Sequence, residues 1–190
     1  MVPLSSQPEP YKTVHFSKTT ITELMIPSYA NFGGKIHGGI LLSLMDKVAY
    51  VCAAKHAGSY CVTASIDAVN FLAPVDVGEL VSLMASVNYV GKTSLVVGIR
   101  VVSQNVKTNE VKHTNTSYFT MVAKNEQNQT VEVPGLILET HEQVRRFEEA
   151  LGRRELKQNY NKEMAKIKAD LDYENCKKIL HNERCIIALK

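Results

Sequence analysis

From Val14 to Ile26 the chain is dense in Thr, Val, Ile and Phe, the composition of a strand, and Pro27 stops it. Residues 28–37 read as loop. From Gly38 to about Lys55 or His56, apolar residues fall on nearly every helical face: Ile40, Leu41, Leu44, Met45, Val48, Val51 and Cys52. That pattern predicts a helix buried in a core. After the Ala57-Gly58-Ser59 turn, strand-like runs are predicted over 60–72, 79–90, 93–105 and 110–124, separated by Pro74, Gly78, Gly91-Lys92 and Lys107-Thr108-Asn109. In the third run Leu95, Val97, Ile99 and Val101 point one way and Ser94 and Arg100 the other, so one side is buried. Short links predict antiparallel pairing, and one helix between the first strand and the rest covers the single sheet. The fold class expected is α+β, a curved antiparallel sheet wrapped around a central helix.

The pattern changes at Thr140, where Glu, Arg, Lys and Gln take over. Phe147, Ala150 and Leu151 keep a thin apolar stripe at helical spacing, as do Met164, Ile167 and Leu171. A helix on the outer surface, a helix at a subunit contact, and a charged, partly frayed tail all fit this stretch. Residues 1–10 hold three prolines and read as a loose arm. The organisation expected is a flexible arm over 1–13, one domain over 14–136 and a charged C-terminal helical extension over 137–190.

Composition adds exclusions. A chain of 190 residues, 45% hydrophobic and 22% charged, suits one domain with a sizeable core. The formal charge of +3 resides mostly after position 144 and gives no reason to expect nucleic acid. No apolar run approaches the ~20 residues that span a bilayer, and the N-terminus lacks a basic region followed by an apolar core. The expectation is a cytoplasmic protein without a membrane partner. Cys52 and Cys61 lie in apolar segments, where a free thiol packs as a small hydrophobe, and no structural disulfide is expected. The stretch from Cys176 through His181 to Cys185 matches no familiar zinc spacing, so no metal site is expected.

Candidate chemistry concentrates between Asn31 and Asp46, where a glycine-rich loop feeds the apolar helix. Gly38 and Gly39 allow close approach to the backbone, and the unpaired N–H groups of a first helical turn carry partial positive charge suited to a carbonyl oxygen. Asp46 lies two turns further on, below Gly39. Its helical neighbours Leu42, Ser43, Ala49 and Tyr50 include no cation. A buried acid without a local partner needs a partner from elsewhere, a raised pKa, or a function. His37 reads either as a base or as a residue that caps or packs at the helix entry.

Three stretches, Asn31 to Asp46, Val62-Thr-Ala-Ser-Ile-Asp-Ala-Val-Asn-Phe71 and Gly91-Lys-Thr-Ser94, together resemble the hotdog-fold acyl-CoA thioesterases, of the cytosolic acyl-CoA hydrolase type. The resemblance covers roughly residues 14–134. It implies hydrolysis of acyl-CoA to a free carboxylic acid and coenzyme A, with no cofactor beyond the coenzyme A of the substrate. It implies a homodimer whose sheets join edge to edge around shared sites, commonly assembled as a trimer of dimers. By the family pattern Asp46 of one subunit works with Asn31 of the other, and backbone N–H groups around Gly38 and Gly39 receive the thioester oxygen. Asp46 serves as general base or as nucleophile. Asn31 holds the water or the carbonyl, or bonds its own loop. Gly91, Lys92, Thr93 and Ser94 resemble the family's CoA-contacting loop. Lys92 and Arg100 are candidate phosphate partners. Thr63 and Ser65, taken as alternating on one strand face, are candidates to line the channel. A non-catalytic acyl-CoA-binding regulator and a hotdog hydratase or dehydratase using His37 with Asp46 are the alternatives.

Overall fold

In the computed structural model, which describes residues 10–169 and 172–188, the order is β1 (Tyr11–Thr13), α1 (Val14–Ser17), β2 (Thr19–Leu24), a 3-10 turn (Pro27–Tyr29), α2 (Gly38–Ala57), β3 (Tyr60–Ile66), β4 (Glu79–Val90), β5 (Ser94–Asn105), β6 (Val111–Lys124), β7 (Gly135–Ile137), α3 (His141–Ala169) and α4 (Tyr173–Leu180). Five strands form one antiparallel sheet in the order β2-β4-β5-β6-β3, and β1 pairs in parallel with β7. The inward row of β5, Leu95, Val97, Ile99 and Val101, is buried beside Val81, Leu83, Ala85 and Val87 of β4 and Phe119, Met121 and Ala123 of β6. Onto this face α2 lays Leu41, Leu44, Met45, Val48, Ala49, Cys52 and Ala53. Each fully buried side chain of this size contributes about 1.5–3 kcal/mol of transfer free energy. This is the hotdog arrangement, a curved sheet around a helix.

The C-terminal end of α2 is closed by identifiable groups. At its C-terminus Gly58 takes a left-handed conformation, φ 70°, and its N–H reaches Ala54 O. Lys12 Nζ donates to His56 O at 2.7 Å, satisfying a terminal carbonyl and opposing the helix dipole. The His56 imidazole is fully buried, with Nε2 3.0 Å from Pro134 O. Burial, above all, holds its pKa below the ordinary histidine value.

Several expectations are corrected. The run 14–26 is not one strand: Thr13 Oγ1 accepts from Phe16 N, a helical turn buries Val14 and Ser17, and pairing resumes at Thr19. A local cap there overrides strand composition. The run 60–72 pairs as a strand only to Ile66, although Asp67 N and Leu72 N still bond to Tyr118 O and Thr114 O of β6. Tyr11–Thr13, expected in the arm, form β1, while residues 1–9 lie outside the described part. Most importantly, α2 is not buried all round, because Ser43, Asp46, Lys47, Tyr50 and Val51 are exposed. A single five-stranded sheet curves around one side of the helix and leaves the other bare.

The chain divides into two units, residues 1–150 and 151–190. Within the first, the start of α3 rests on the outer face of the sheet, with the Phe147 and Tyr89 ring centroids 5.0 Å apart and Ala150 buried. The second holds the remainder of α3, where Leu156, Tyr160 and Ile167 are exposed, and α4; Leu171 of the expected stripe is outside the described residues. Among those residues no helix is long and apolar enough to cross a membrane.

Candidate active site

The loop before α2 is fixed by its own polar groups. Asn31 Oδ1 accepts from Gly33 N at 2.9 Å and Lys35 N at 3.2 Å, while Ala30 and Ile36 form an isolated bridge. Lys35 pairs with Asp76, so the loop is also tied to the segment entering β4. Asn31 therefore bonds its own backbone through the oxygen. Its Nδ2 has no partner among the described residues, and both Asn31 and the neighbouring Phe32 are exposed.

At the mouth of α2, His37 is the N-cap, and its Nδ1 accepts from Gly39 N at 2.9 Å. Ile40 N bonds to His37 O, so Gly38 N–H is the first-turn donor left without a partner among the described residues. The two glycines expected to act alike are thus distinguished. Gly38 faces the Phe71 ring, which lies 3.2 Å from where a Cβ would stand, whereas Gly39 N–H is occupied by the imidazole.

Asp46 is met by Thr63, whose hydroxyl donates to Oδ1 at 2.6 Å. A charge-assisted bond of this kind orients the carboxylate, and Oδ2 of this exposed residue is left without a hydrogen bond among the described residues. The stretch 62–71 gains a structural meaning: near its start Thr63 touches Asp46, and at its end Phe71 covers Gly38. One segment spans both poles of the site.

Ser65 is placed differently from expectation. The register slips between Thr63, opposite Met121, and Ser65, opposite Thr120, so a bulge at Ala64 sends Ser65 to the face away from Thr63. The turn Gly91-Lys92-Thr93-Ser94 lies at the same end of the sheet as Thr63: Ser94 pairs with Val122, which pairs with Val62, a distance of about 10 Å across two strand spacings. Gly91 N closes the turn on Ser94 O, and the Thr93 and Ser94 hydroxyls have no partner among the described residues. Lys92 is exposed and pairs with Glu132 at 3.2 Å. Arg100 stands six residues further along β5, roughly 20 Å from Ser94, exposed on the outer face in a cleft of ≈ 640 Å³ shared with Arg145 and Arg146. Glu142 pairs with both of these last two and is held at a pKa of about 2 by them. The sheet separates Arg100 from Asp46 of the same protomer.

Cys52 and Cys61 are buried, and desolvation pushes their thiols up to about 12 and about 11, which makes them inert packing residues. Of the two readings of His37, base or cap, the structure shows the cap. What sequence reasoning missed is the contact of Phe71 on Gly38, which nothing local signals.

Comparison with known proteins places this geometry. The model of the thioesterase superfamily matches residues 33–109. Protein VdlD of Helicobacter pylori is 45% identical over 145 residues, 76% of this chain and 83% of that protein. The uncharacterized acyl-CoA thioester hydrolase YkhA of Bacillus subtilis is 34% identical over 67% of this chain and 74% of its own length. The cytosolic acyl coenzyme A thioester hydrolase of Rattus norvegicus is 34% identical over 77% of this chain, which spans only 39% of that protein. An apo-hexameric acyl-CoA thioesterase superposes with TM-score 0.77 at 38% identity, over 80% of this chain and 97% of the other. An acyl-CoA hydrolase of Staphylococcus aureus, solved with butyryl coenzyme A and coenzyme A, gives TM-score 0.74 at 29% identity, over 85% and 100%. That hydrolase has also been solved as single alanine variants of an asparagine, an aspartate and a threonine.

Proposed function

This chain belongs to the hotdog-fold acyl-CoA thioesterases and is an acyl-CoA thioester hydrolase, and we propose that it hydrolyses its substrate at a site centred on the carboxylate of Asp46. The observation that carries this reading is the Thr63 to Asp46 bond on the bare face of α2, eight residues after a glycine with an unpartnered N–H. The three residues varied in the Staphylococcus aureus hydrolase stand fifteen and seventeen positions apart in its sequence. Asn31, Asp46 and Thr63 have the same spacing.

In this mechanism Asp46 Oδ2 takes a proton from a water poised at the thioester carbonyl, while Thr63 holds Oδ1. Gly38 N–H and Asn31 Nδ2 of a second copy stabilise the oxyanion that forms. Collapse breaks the C–S bond, the acid is released, and the coenzyme A thiolate recovers the proton from Asp46. The general base is preferred to the nucleophile because one carboxylate oxygen is already committed to Thr63 and the other faces an open surface that water reaches. His37 is not placed as a base, since its Nδ1 is engaged as the helix cap.

The second copy is required because Asn31 and Asp46 are not brought together by any bond within one protomer, and β3 leaves an open sheet edge beside exposed Tyr50, Tyr60, Phe71 and Leu72. Pairing of two such edges supports a dimer with shared sites, and the hexameric relative supports a trimer of dimers. The Gly91-Lys92-Thr93-Ser94 turn is proposed to hold the pantetheine and phosphate portion. In this reading Arg100 serves the nucleotide end of a substrate seated on a neighbouring copy. The curated mammalian relatives named as cytosolic support a cytoplasmic location. The test is thiol release from acyl-CoA of graded chain length: wild type turns over, and Asp46→Asn falls at least about 1,000-fold in kcat with an unchanged melting temperature. Wild-type turnover by Asp46→Asn overturns the assignment.

A further inference from the structure

The N-cap of α2 is a titratable side chain, and its bond is made by one protonation state only. His37 Nδ1 accepts from Gly39 N at 2.9 Å, so Nδ1 carries no proton and the imidazole is neutral, with its hydrogen on Nε2. The residue cannot drift from this place. Its own N–H bonds to Tyr29 O at 2.8 Å, and its carbonyl accepts from Ile40 N at 3.0 Å. Adding a proton to Nδ1 sets N–H against N–H and puts a cation at the positive end of a helix dipole, so the cap is released. No acid lies in the first turn of α2 to compensate. The charged and titratable groups on the surrounding elements are Tyr29, bonded to Glu23, Lys35, paired with Asp76, Asp46 two turns along α2, and Asp67 on the segment that carries Phe71.

We propose that His37 is a positioning residue: its neutral imidazole holds Gly39 N–H, fixes the first turn of α2, and leaves Gly38 N–H as the single backbone donor aimed at the thioester oxygen. This rests on the site reading above and deepens it. Two adjacent glycines make a floppy helix entry, and a turn that is free to move presents its donor in many directions. The side-chain cap removes that freedom, and only an imidazole with an unprotonated Nδ1 can make it.

The test compares wild type, His37→Ala and His37→Asn, whose amide oxygen caps without titrating. For His37→Ala at pH 8 the expected result is a kcat roughly 3–30-fold lower, with KM within about twofold. For His37→Asn it is recovery of most of that loss in kcat, again with KM within about twofold. A full kcat in His37→Ala, or no recovery in His37→Asn, overturns the proposal. Loss of the Asp46 requirement would instead overturn the site itself, so the two failures are separable.

Discussion

The role proposed for Asp46 rests on surroundings that do two opposite things. The helix that carries it is anchored by buried neighbours, Met45 and Ala49 among them, while Asp46 itself is exposed and held by one hydroxyl. Anchoring fixes position and exposure admits water. A hydrogen bond to a charged group is worth about 1.5–3 kcal/mol, so Thr63→Val is expected to lower kcat roughly 10–100-fold with little change in melting temperature, and Thr63→Ser to restore most of it. Steady-state assays on one acyl-CoA check both. The sequence made Asp46 and the glycines stand out as candidates, because a lone acid interrupts an apolar helical run that two glycines open, although the acid proves exposed rather than buried. It did not make the orientation of Ser65 legible: the bulge at Ala64 is a pairing choice between β3 and β6, and no residue in 60–66 announces it.

At the scale of elements, α2 depends on its two ends as well as its buried face. Gly58→Ala puts a Cβ no closer than 3.8 Å to its nearest neighbour, so its penalty is the left-handed backbone alone. The expected loss is about 1–2 kcal/mol, read from urea unfolding. His56 gives a pH signature with a definite sign. Burial lowers its folded pKa, so the unfolded chain takes up a proton first as pH falls. Its contribution is complete above about pH 6.5 and is lost progressively down to the lowered folded value. Wild type is expected to lose melting temperature between pH 7.5 and 5, and His56→Gln to flatten that slope while starting from a lower stability. The long strands β4, β5 and β6 and the extent of α2 were legible because period-2 and period-3.6 patterns persist over many residues. The break at Thr13 to Ser17 was not, since one side-chain cap decides it against a favourable strand composition.

For the whole molecule, the bare face of α2 is the feature no local pattern could give: whether an apolar helix is covered all round depends on how far the sheet curves, and here it covers one side. The exposed remainder, with the open edge of β3 and the projecting loop of Asn31 and Phe32, is what a second copy completes in this account. On the proposed arrangement a two-fold dimer has two sites, each using Asp46 of one copy and Asn31 of the other. Mixing Asn31→Ala with Asp46→Asn protein after full subunit exchange gives half mixed dimers, each with one intact site. The account predicts recovery to about a quarter of wild-type activity, from two proteins that are each nearly inactive. Activity that stays at the mean of the two separate variants, with exchange demonstrated by mass, would contradict it.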